Sequence, residues 1–366
     1  MAILDRDDLM DILSGATILG AGGGGDLSEG VGLIDDAIAQ GKTFEMVDLH
    51  DVPDDGLVAT PYHLGAISDI PAEEEEGYKQ LEVGDQQPIL TAYHAFQARM
   101  DQDFYGTVPC ELGGSNTAVA FYVAAMMGQK TIDADPAGRA VPEITHSTYY
   151  LNNLGVGPIV MANAFGEVIT LENVQDDLRA ETVVRALSVV SRHDIAAVDH
   201  VLPAEDLRDA LIPGTLSQCQ SLGAAQRRAI AARENVADAI AEAGGGMVAF
   251  EGMIGQCEWR TEGGFTLGSV TIMGSGASIG HIYKIGLKNE NLVAWKDDAV
   301  HATIPDVICL IDTLTGEVVQ NPHFEQGQTV AVVILPAPKA FLTERGLSIF
   351  GPAYAGLSGK FWSPLK

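Results

Sequence analysis

The hydrophobic pattern changes its period partway along the 366 residues of this chain, and this change constrains the fold more than any other feature. Up to about residue 155, apolar residues at helical spacing alternate with short apolar runs, which favours an α/β layered domain. From Met247 to Leu335, apolar and polar residues alternate between glycine-containing turns, which indicates antiparallel strands. The sequence therefore predicts fold class α/β plus β, the second part being a barrel or a sandwich.

Four segments follow from these patterns. An N-terminal α/β domain is predicted over residues 1–160, and a connecting α/β segment over 161–243 is expected to complete its body. That segment ends with the longest helical pattern, Gln218–Ala243. A β domain is predicted over 244–336, and a tail over 337–366 is expected to pack back on the body.

Three helices are predicted near the candidate motifs of the first domain. Acidic residues open a short helix over Asp5–Leu13 that is predicted to end at Gly15. Ser28 is predicted to cap a second helix, because its hydroxyl can accept a hydrogen bond from a first-turn amide. Ser115 is predicted to cap an alanine-rich helix that runs through Met127.

The charge and the cysteine content exclude some classes of binding partner and indicate the cellular compartment. The chain contains 21 Lys and Arg against 50 Asp and Glu, a net charge of −29 at pH 7. Such a surface repels a phosphate backbone and an anionic lipid leaflet, so we expect no nucleic-acid partner and no membrane partner. The cysteines are widely spaced without a CxxC pair, and the N-terminus has no signal-peptide pattern. We expect a reduced, cytoplasmic homo-oligomer whose partner is a small-molecule substrate.

A glycine-rich run at residues 20–25 is the first candidate site. It satisfies the string GxGxxG, and Asp48 lies near the distance of a ribose-binding acid, although the preceding strand would be only Thr17–Leu19. Three uses remain open: a dinucleotide turn of an NAD(P)-dependent oxidoreductase, a pocket of bare amides for an anion or carbonyl, and a plain connector. No nucleotide cofactor is favoured. The candidate substrate-binding residues here are Gly22, Gly23, Gly24 and Gly25.

The second candidate motif joins a carboxylate to the start of a helix. Glu111 is followed by Gly113 and Gly114, which allow close backbone approach, and then by Ser115 and Asn116. A helix N-terminus stabilises developing negative charge, and an Asn there can donate to an oxyanion. The alternative is that the polar pair only caps the helix and that Glu111 lies on the surface.

The third candidate motif is the densest group of polar residues. Asp133 and Asp135 alternate at the end of a predicted strand, so their side chains point the same way, at the edge where open α/β sheets bind ligands. With Glu143 they could hold a divalent cation, or they could share a proton in acid/base chemistry. Arg139 could pair with an aspartate or clamp a substrate carbonyl. The cofactor is therefore unknown, with a divalent metal ion possible, and a purely structural Asp–Arg network is the alternative.

Single residues outside these motifs carry weaker signals. Asn289 and Glu290 are candidate substrate-binding residues in a polar tetrad that could equally be a hairpin turn. Cys110 is a candidate nucleophile, although it has no basic sequence neighbour. The histidines form no HExxH motif and no close pair suited to zinc, and a lone residue such as His146 is more often structural.

Taken in order, these motifs resemble a bacterial and archaeal family named after S-methyl thiohydantoin desulfidase and associated with hydantoinase/oxoprolinase proteins. The resemblance extends from about residue 8 to 357. The motifs that carry it are Leu19–Gly25, Glu111–Asn116, Asp133–Asp135 with Gly138–Glu143, Gly214–Ser217, Lys288–Glu290, Pro305–Cys309, Phe350–Pro352 and Tyr354–Gly356.

The resemblance implies an N-terminal three-layer α/β domain, a C-terminal β-barrel-like domain and action on a hydantoin-like ring. The chain departs from the family pattern at Pro136, where a glycine is expected, and at His146. Proline removes an N–H donor, so a backbone contact with substrate could be lost there.

The leading hypothesis is an enzyme in which water opens, hydrolyses or desulfurises a cyclic amide or (thio)hydantoin-like ring. Asp133 or Asp135 would be the base, directly or through a metal. The Gly22–Gly25 amides, Asn116 and Arg139 would stabilise the oxyanion, while Glu111 and Glu143 orient the site. The alternatives are a non-catalytic ligand-binding or partner subunit of a hydantoinase/oxoprolinase-type assembly, and the NAD(P)-dependent oxidoreductase.

Overall fold

Helices and strands alternate through residue 213 in the computed structural model, which describes residues 1–68, 70 and 72–365. No helix within these ranges has the length and apolar character needed to cross a bilayer. The elements are β1 (Ala2–Leu4), α1 (Arg6–Leu19), α2 (Leu27–Ala39), β2 (Phe44–Asp48), β3 (Leu57–Gly65), α3 (Ala72–Tyr78), α4 (Pro88–Met100), β4 (Gly106–Thr107), α5 (Gly114–Met127), β5 (Lys130–Asp135), α6 (Thr148–Leu151), β6 (Ile159–Ala162), β7 (Val168–Leu171), α7 (Asp177–Val189), β8 (Asp194–Pro203), α8 (Ala204–Leu207) and β9 (Ile212–Pro213).

The strands of this part form one mixed sheet. In the described chain their order is β1-β2-β5-β4-β3-β8-β6-β7, and β9 pairs with β5 off this path. The pairs β2–β5, β5–β4 and β4–β3 are parallel, while β1, β8, β6 and β7 join antiparallel. The carboxyl ends of the parallel strands β4 and β5 therefore lie along one edge, where the second and third motifs follow them.

Helices cover both faces of this sheet. On β8, Ala196 and Val198 pack into the cluster that contains Phe121 of α5. Ile195 and Ala197, which alternate with them, pack into a separate cluster with Val184 of α7. This alternation is what a strand between two helical layers requires. The predicted three-layer α/β domain is confirmed.

The second part of the chain begins with helices and continues as an antiparallel sheet. The described strands run in the order β14-β13-β12-β11-β10-β16-β15, and Asn291 Nδ2 donates to Ile308 O (2.9 Å) between β13 and β15, so the sheet curls into a half-barrel. The predicted barrel-like β domain is thus confirmed as a half-barrel. Its elements are α9 (Thr215–Ala232), α10 (Val236–Gly244), β10 (Met247–Glu262), β11 (Phe265–Gly274), β12 (Ile282–Lys288), β13 (Glu290–Lys296), β14 (Ala299–Thr303), β15 (Val307–Asp312), β16 (Thr329–Leu335) and α11 (Glu344–Ile349).

The first helix is longer than predicted. Asp5 caps α1 in a capping box with Asp8, and the helix continues through Gly15 to Leu19. Gly15 is needed for packing and not for termination, because a Cβ there would lie 1.8 Å from Cys219 O of α9. Thr17–Leu19 is helical, so the predicted helix end at Gly15 was wrong, and the strand that a dinucleotide turn would need there is a helix.

Two predicted helix caps and one predicted helix also need correction. Asp26, not Ser28, accepts hydrogen bonds from the first-turn amides of α2, and Gly113, not Ser115, precedes α5. The single helix Gln218–Ala243 is two helices, because Arg233 adopts a left-handed conformation (φ 56°) and Asn235 caps a new helix. The division of the chain at residues 160, 243 and 336 stays a prediction.

Candidate functional site

A cleft of about 880 Å³ lies where the glycine run meets α5, the ends of β3 and β8, and the β12–β13 turn. The first and third motifs contact the second directly. Asn116 N donates to Gly24 O (3.1 Å), and Val141 N donates to Glu111 Oε2 (2.7 Å). Of the residues singled out in the sequence, the cleft is lined by Gly22, Gly24, Gly25, Cys110, Glu111, Ser115, Asn116, Pro136, Glu143, Asn289 and Glu290.

The glycine loop, residues 20–25, joins two helices. Gly22, Gly24 and Gly25 have φ values of 92°, 78° and 80°, which are strained for side chains other than glycine. A dinucleotide turn instead joins a strand to a helix. The loop therefore lacks the structural context of a dinucleotide site.

The carbonyl groups of the glycine loop hold the two domains together. Ala21 O accepts from Asn291 N (2.8 Å), and Gly22 O accepts from Asn321 N (2.9 Å). Gly23 packs against Glu290, since a Cβ on Gly23 would lie 2.0 Å from Glu290 Oε1. The loop is thus a fixed structural element and not a flexible connector.

Three amide groups of the same loop have no acceptor among the described residues. Within the described ranges, the N–H groups of Gly22, Gly24 and Gly25 donate to no protein acceptor. All three residues line the cleft. A set of unpaired amides in a concave wall can bind a carbonyl oxygen or an anion.

Glu111 is held in the cleft wall by two donors. Asn116 Nδ2 donates to its Oε1 (2.7 Å), and Val141 N donates to its Oε2. The same Nδ2 donates to His63 O (3.2 Å), so both of its hydrogens are engaged. Asn116 therefore orients Glu111 and is not available as the expected oxyanion donor. Burial raises the pKa of Glu111, although its donors oppose this.

Glu290 is a second buried carboxyl group in the cleft. Its side chain is 2% exposed, and Oε2 has no hydrogen-bond partner among the described residues. Burial, followed by the charge of Glu111, raises the pKa of Glu290 well above its usual range. A neutral carboxylic acid in this position can donate a proton.

The remaining glycines and Asn289 of the predicted site serve packing and turn formation. Gly113 lies against the glycine loop, where a Cβ would be 2.3 Å from Gly24 Cα, and Gly114 lies similarly close to Leu27. Asn289 has a φ of 55° in the β12–β13 turn, and its Oδ1 accepts from Thr266 N (2.9 Å).

The two aspartates of the third motif do not line the cleft. Asp133 caps α9, where its carboxylate accepts from Leu216 N (2.9 Å) and Ser217 Oγ (2.5 Å). The Oδ2 of Asp135 accepts from the amides of Ala137 and Gly138 at 2.9 and 2.8 Å. The expected placement of this pair opposite the glycine amides is therefore corrected.

Arg139 and Glu143 are also committed to contacts within the protein. Arg139 is fully buried and does not line the cleft, because its guanidinium donates to Pro305 O (2.9 Å) and Asp306 O (2.6 Å). Glu143 lines the cleft but accepts from Lys288 Nζ (2.6 Å) and Tyr354 Oη (2.5 Å). No group of three or more His, Cys, Asp or Glu in the described ranges is placed to hold a metal ion, so Asp133, Asp135 and Glu143 do not form the expected ligand set.

The cleft is also lined by a polar group that sequence reasoning missed. Tyr62, Tyr149, Asp199 and His200 line it beside Cys110. Asp199 and His200 are neighbours in β8, and neighbours in a regular strand face opposite ways, so the sequence gave no signal of a pair. Burial, followed by the charge of Glu111, raises the pKa of the Cys110 thiol well above its usual range. This shift weakens the case for Cys110 as a nucleophile.

A comparison with known protein families tests the family resemblance that the motifs indicated. Residues 7–173 match the family described as "S-Me-THD-like, N-terminal domain", and residues 175–363 match "S-Me-THD-like, C-terminal domain". The chain belongs to the S-Me-THD-like family. The resemblance read from the motifs is therefore confirmed over most of its length.

A solved structure shows that the S-Me-THD-like fold described here occurs elsewhere. A protein from Chromobacterium violaceum, known from an X-ray crystal structure, is 22% identical, with a TM-score of 0.76 and complete coverage of both chains. At this identity the likeness establishes the fold alone. A comparison with curated proteins gives no significant match.

Proposed function

We propose that this protein hydrolyses a small thiohydantoin-like ring and that the cleft is where water replaces the sulfur substituent. The S-Me-THD-like family is named after a desulfidase. The observation that carries the proposal is the set of unpaired Gly22, Gly24 and Gly25 amides in a cleft that also contains the buried carboxyl of Glu290.

The reaction proposed is hydrolysis of a carbon–sulfur bond. The oxygen of water bonds to the ring carbon that carries sulfur, the C–S bond breaks, and the ring carbon becomes a carbonyl. One proton of the water ends on the departing thiol and the other on the ring nitrogen. Negative charge develops on the ring as water adds.

The glycine amides bind the ring oxygen in this scheme. Backbone N–H groups fixed before the reaction stabilise developing negative charge without reorganising, and removing one such donor typically costs about 100-fold or more in rate. The hydrogen bonds from Ala21 O and Gly22 O to the half-barrel keep the loop in place.

Glu290 supplies the proton that the departing sulfur needs. Burial, followed by the charge of Glu111, raises the pKa of Glu290 well above the usual range and so favours the neutral form, and Asn116 and Val141 hold Glu111 in place. Glu111 therefore tunes Glu290, while Glu290 contacts the substrate.

The test is release of thiol from an S-methyl thiohydantoin by the purified protein, followed with a thiol reagent, with thiohydantoin as a companion substrate and hydantoin, which carries no sulfur, as the blank. Glu290→Gln removes the acidic proton at nearly constant shape, and we expect kcat to fall by about 100-fold or more. Glu258→Gln, a carboxyl on the exposed side of β10, is the matched control and is expected to keep full activity.

Absence of turnover on every ring of this panel would contradict the proposal. The partner-subunit alternative would be favoured if the purified protein had no activity and a larger hydantoinase-type protein co-purified with it. Unchanged kcat in Glu290→Gln on a substrate that the parent accepts would remove Glu290 from the mechanism.

A further inference from the structure

The imidazole of His200 is held at one end and unpaired at the other. Its Nδ1 is hydrogen-bonded to Asp199 Oδ1 (2.8 Å), and the residue is only 4% exposed. Within the part of the chain that the structure describes, Nε2 has no hydrogen-bond partner. Since His200 lines the cleft, this buried nitrogen is the polar atom that the wall leaves for a ligand.

A β-bulge puts His200 and Asp199 on the same side of the sheet. Val58 pairs with Leu202 and Thr60 pairs with Asp199, so two residues of β8 stand opposite Ala59 alone. The bulged His200 has a φ of 43°, a conformation that side chains other than glycine seldom adopt. Bulges of this kind redirect side chains and occur often beside active sites.

Further contacts fix the orientation of the pair. Tyr62 Oη donates to Asp199 Oδ2 (2.8 Å), and Tyr149 stacks on the imidazole with ring centroids 4.1 Å apart. Asp177 of α7 is the second carboxylate near the ring, and its Oδ1 is engaged by Val156 N (3.0 Å). An imidazole oriented by a carboxylate at Nδ1, with Nε2 directed to a reaction site, is the arrangement of a general base.

We infer that His200, oriented by Asp199, is the general base that activates water in the cleft. The inference rests on the proposed C–S hydrolysis. Nε2 of His200 takes one proton as the water oxygen bonds to the ring carbon, and the imidazolium then returns that proton to the ring nitrogen. Glu290 protonates the departing sulfur and regains its proton from the second hydrogen of the same water.

Chemical rescue distinguishes whether His200 acts as a base or only packs in the cleft wall. His200→Gly accepts the positive φ and leaves a cavity of the size of imidazole, so we expect kcat to fall by about 100-fold or more while KM changes little. Added imidazole is expected to restore activity, and 1,2,4-triazole, which has the same shape but is a much weaker base, is expected not to. Equal rescue by both compounds, no rescue by imidazole, or full activity without either would overturn the assignment.

A measurement on the parent protein keeps the test independent of turnover and of the variant's folding. In protein labelled with ¹⁵N-histidine, with His200→Gln to identify the signal, titration with hydantoin and thiohydantoin should shift the Nε2 resonance of His200. If the parent cleaves no ring, the proposed function fails by that result alone. The titration tests separately whether His200 lies against the bound ring, and a resonance unmoved by every ring of the panel overturns the assignment of His200.

Discussion

Carboxylates with similar sequence neighbours have different structural roles in this protein. Asp133 accepts from backbone and side-chain donors of Leu216 and Ser217, and Asp135 accepts from amides only two and three residues away. Glu290, which the sequence presents as part of a hairpin turn, has an unpaired oxygen and lines the cleft. A sequence pattern shows that carboxylates lie near a sheet edge, but it cannot show which donors the fold will bring to each.

Asp135 should make the stability of the protein depend on pH. Burial raises the pKa of this carboxyl to about 7, although the amides of Gly138 and Ala137 lower it. A group whose pKa is raised by folding contributes stability fully below its unfolded pKa, about 4, and loses that contribution as pH rises to about 7. The loss is on the order of 4 kcal/mol in the free energy of unfolding.

Asp135→Asn is therefore expected to flatten the fall in the free energy of unfolding between about pH 4 and pH 7. Urea denaturation at a series of pH values measures this. The exposed control Glu258→Gln should keep the parent's slope. An equal slope in the parent and in Asp135→Asn would show that Asp135 ionises without the burial cost described here.

At the scale of elements, glycines set how closely helices approach. Gly15 of α1 faces the backbone of α9, and Gly223 of α9 faces the backbone of α1, where a Cβ would lie 1.9 Å from Asp11 O. The two helices are thus in backbone contact at two places. A helix-interior glycine in the sequence looks like a stop signal, because the pattern does not show what packs against it.

Gly15→Ala is expected to destabilise the protein by about 1–3 kcal/mol, because the added methyl forces the helices apart. Gly32 is the matched control, being a glycine inside α2 where an added Cβ would have nothing within 4 Å. There alanine should stabilise by up to about 1 kcal/mol through its helix propensity. Urea unfolding of the two variants checks this, and equal stability would contradict the close contact of α1 and α9.

Local patterns predicted the elements well where the periodicity was continuous. The antiparallel strands expected between Met247 and Leu335 and the helix predicted to run through Met127 are present. The errors fall where a side chain decides the boundary: Asn235 starts a new helix inside one apolar pattern, and Asp26 competes successfully with Ser28 as a cap. The bulge at His200 was missed for a different reason, because it lies in the pairing of β8 with β3, which a local pattern does not show.

At the scale of the whole molecule, the cleft forms where residues of the second domain bind the glycine loop of the first. Asn291 and Asn321 of the second domain bind carbonyls of the loop, and Arg139 of the first domain binds carbonyls of Pro305 and Asp306. The sequence indicated the three motifs that meet, yet it could not show that the unpaired amides of the glycine loop line the same cleft as Glu290 and His200. That arrangement depends on contacts between residues hundreds of positions apart.

The central claim is that a ring substrate binds between the glycine loop and the Asp199–His200 wall. A crystal structure of the protein with bound hydantoin tests it most directly. We expect a ring oxygen within hydrogen-bonding distance of the Gly22, Gly24 or Gly25 amides, with His200 Nε2 on the other side of the ring. Hydantoin bound only elsewhere, such as in the groove beside Ile230 and Gly316, would contradict the claim.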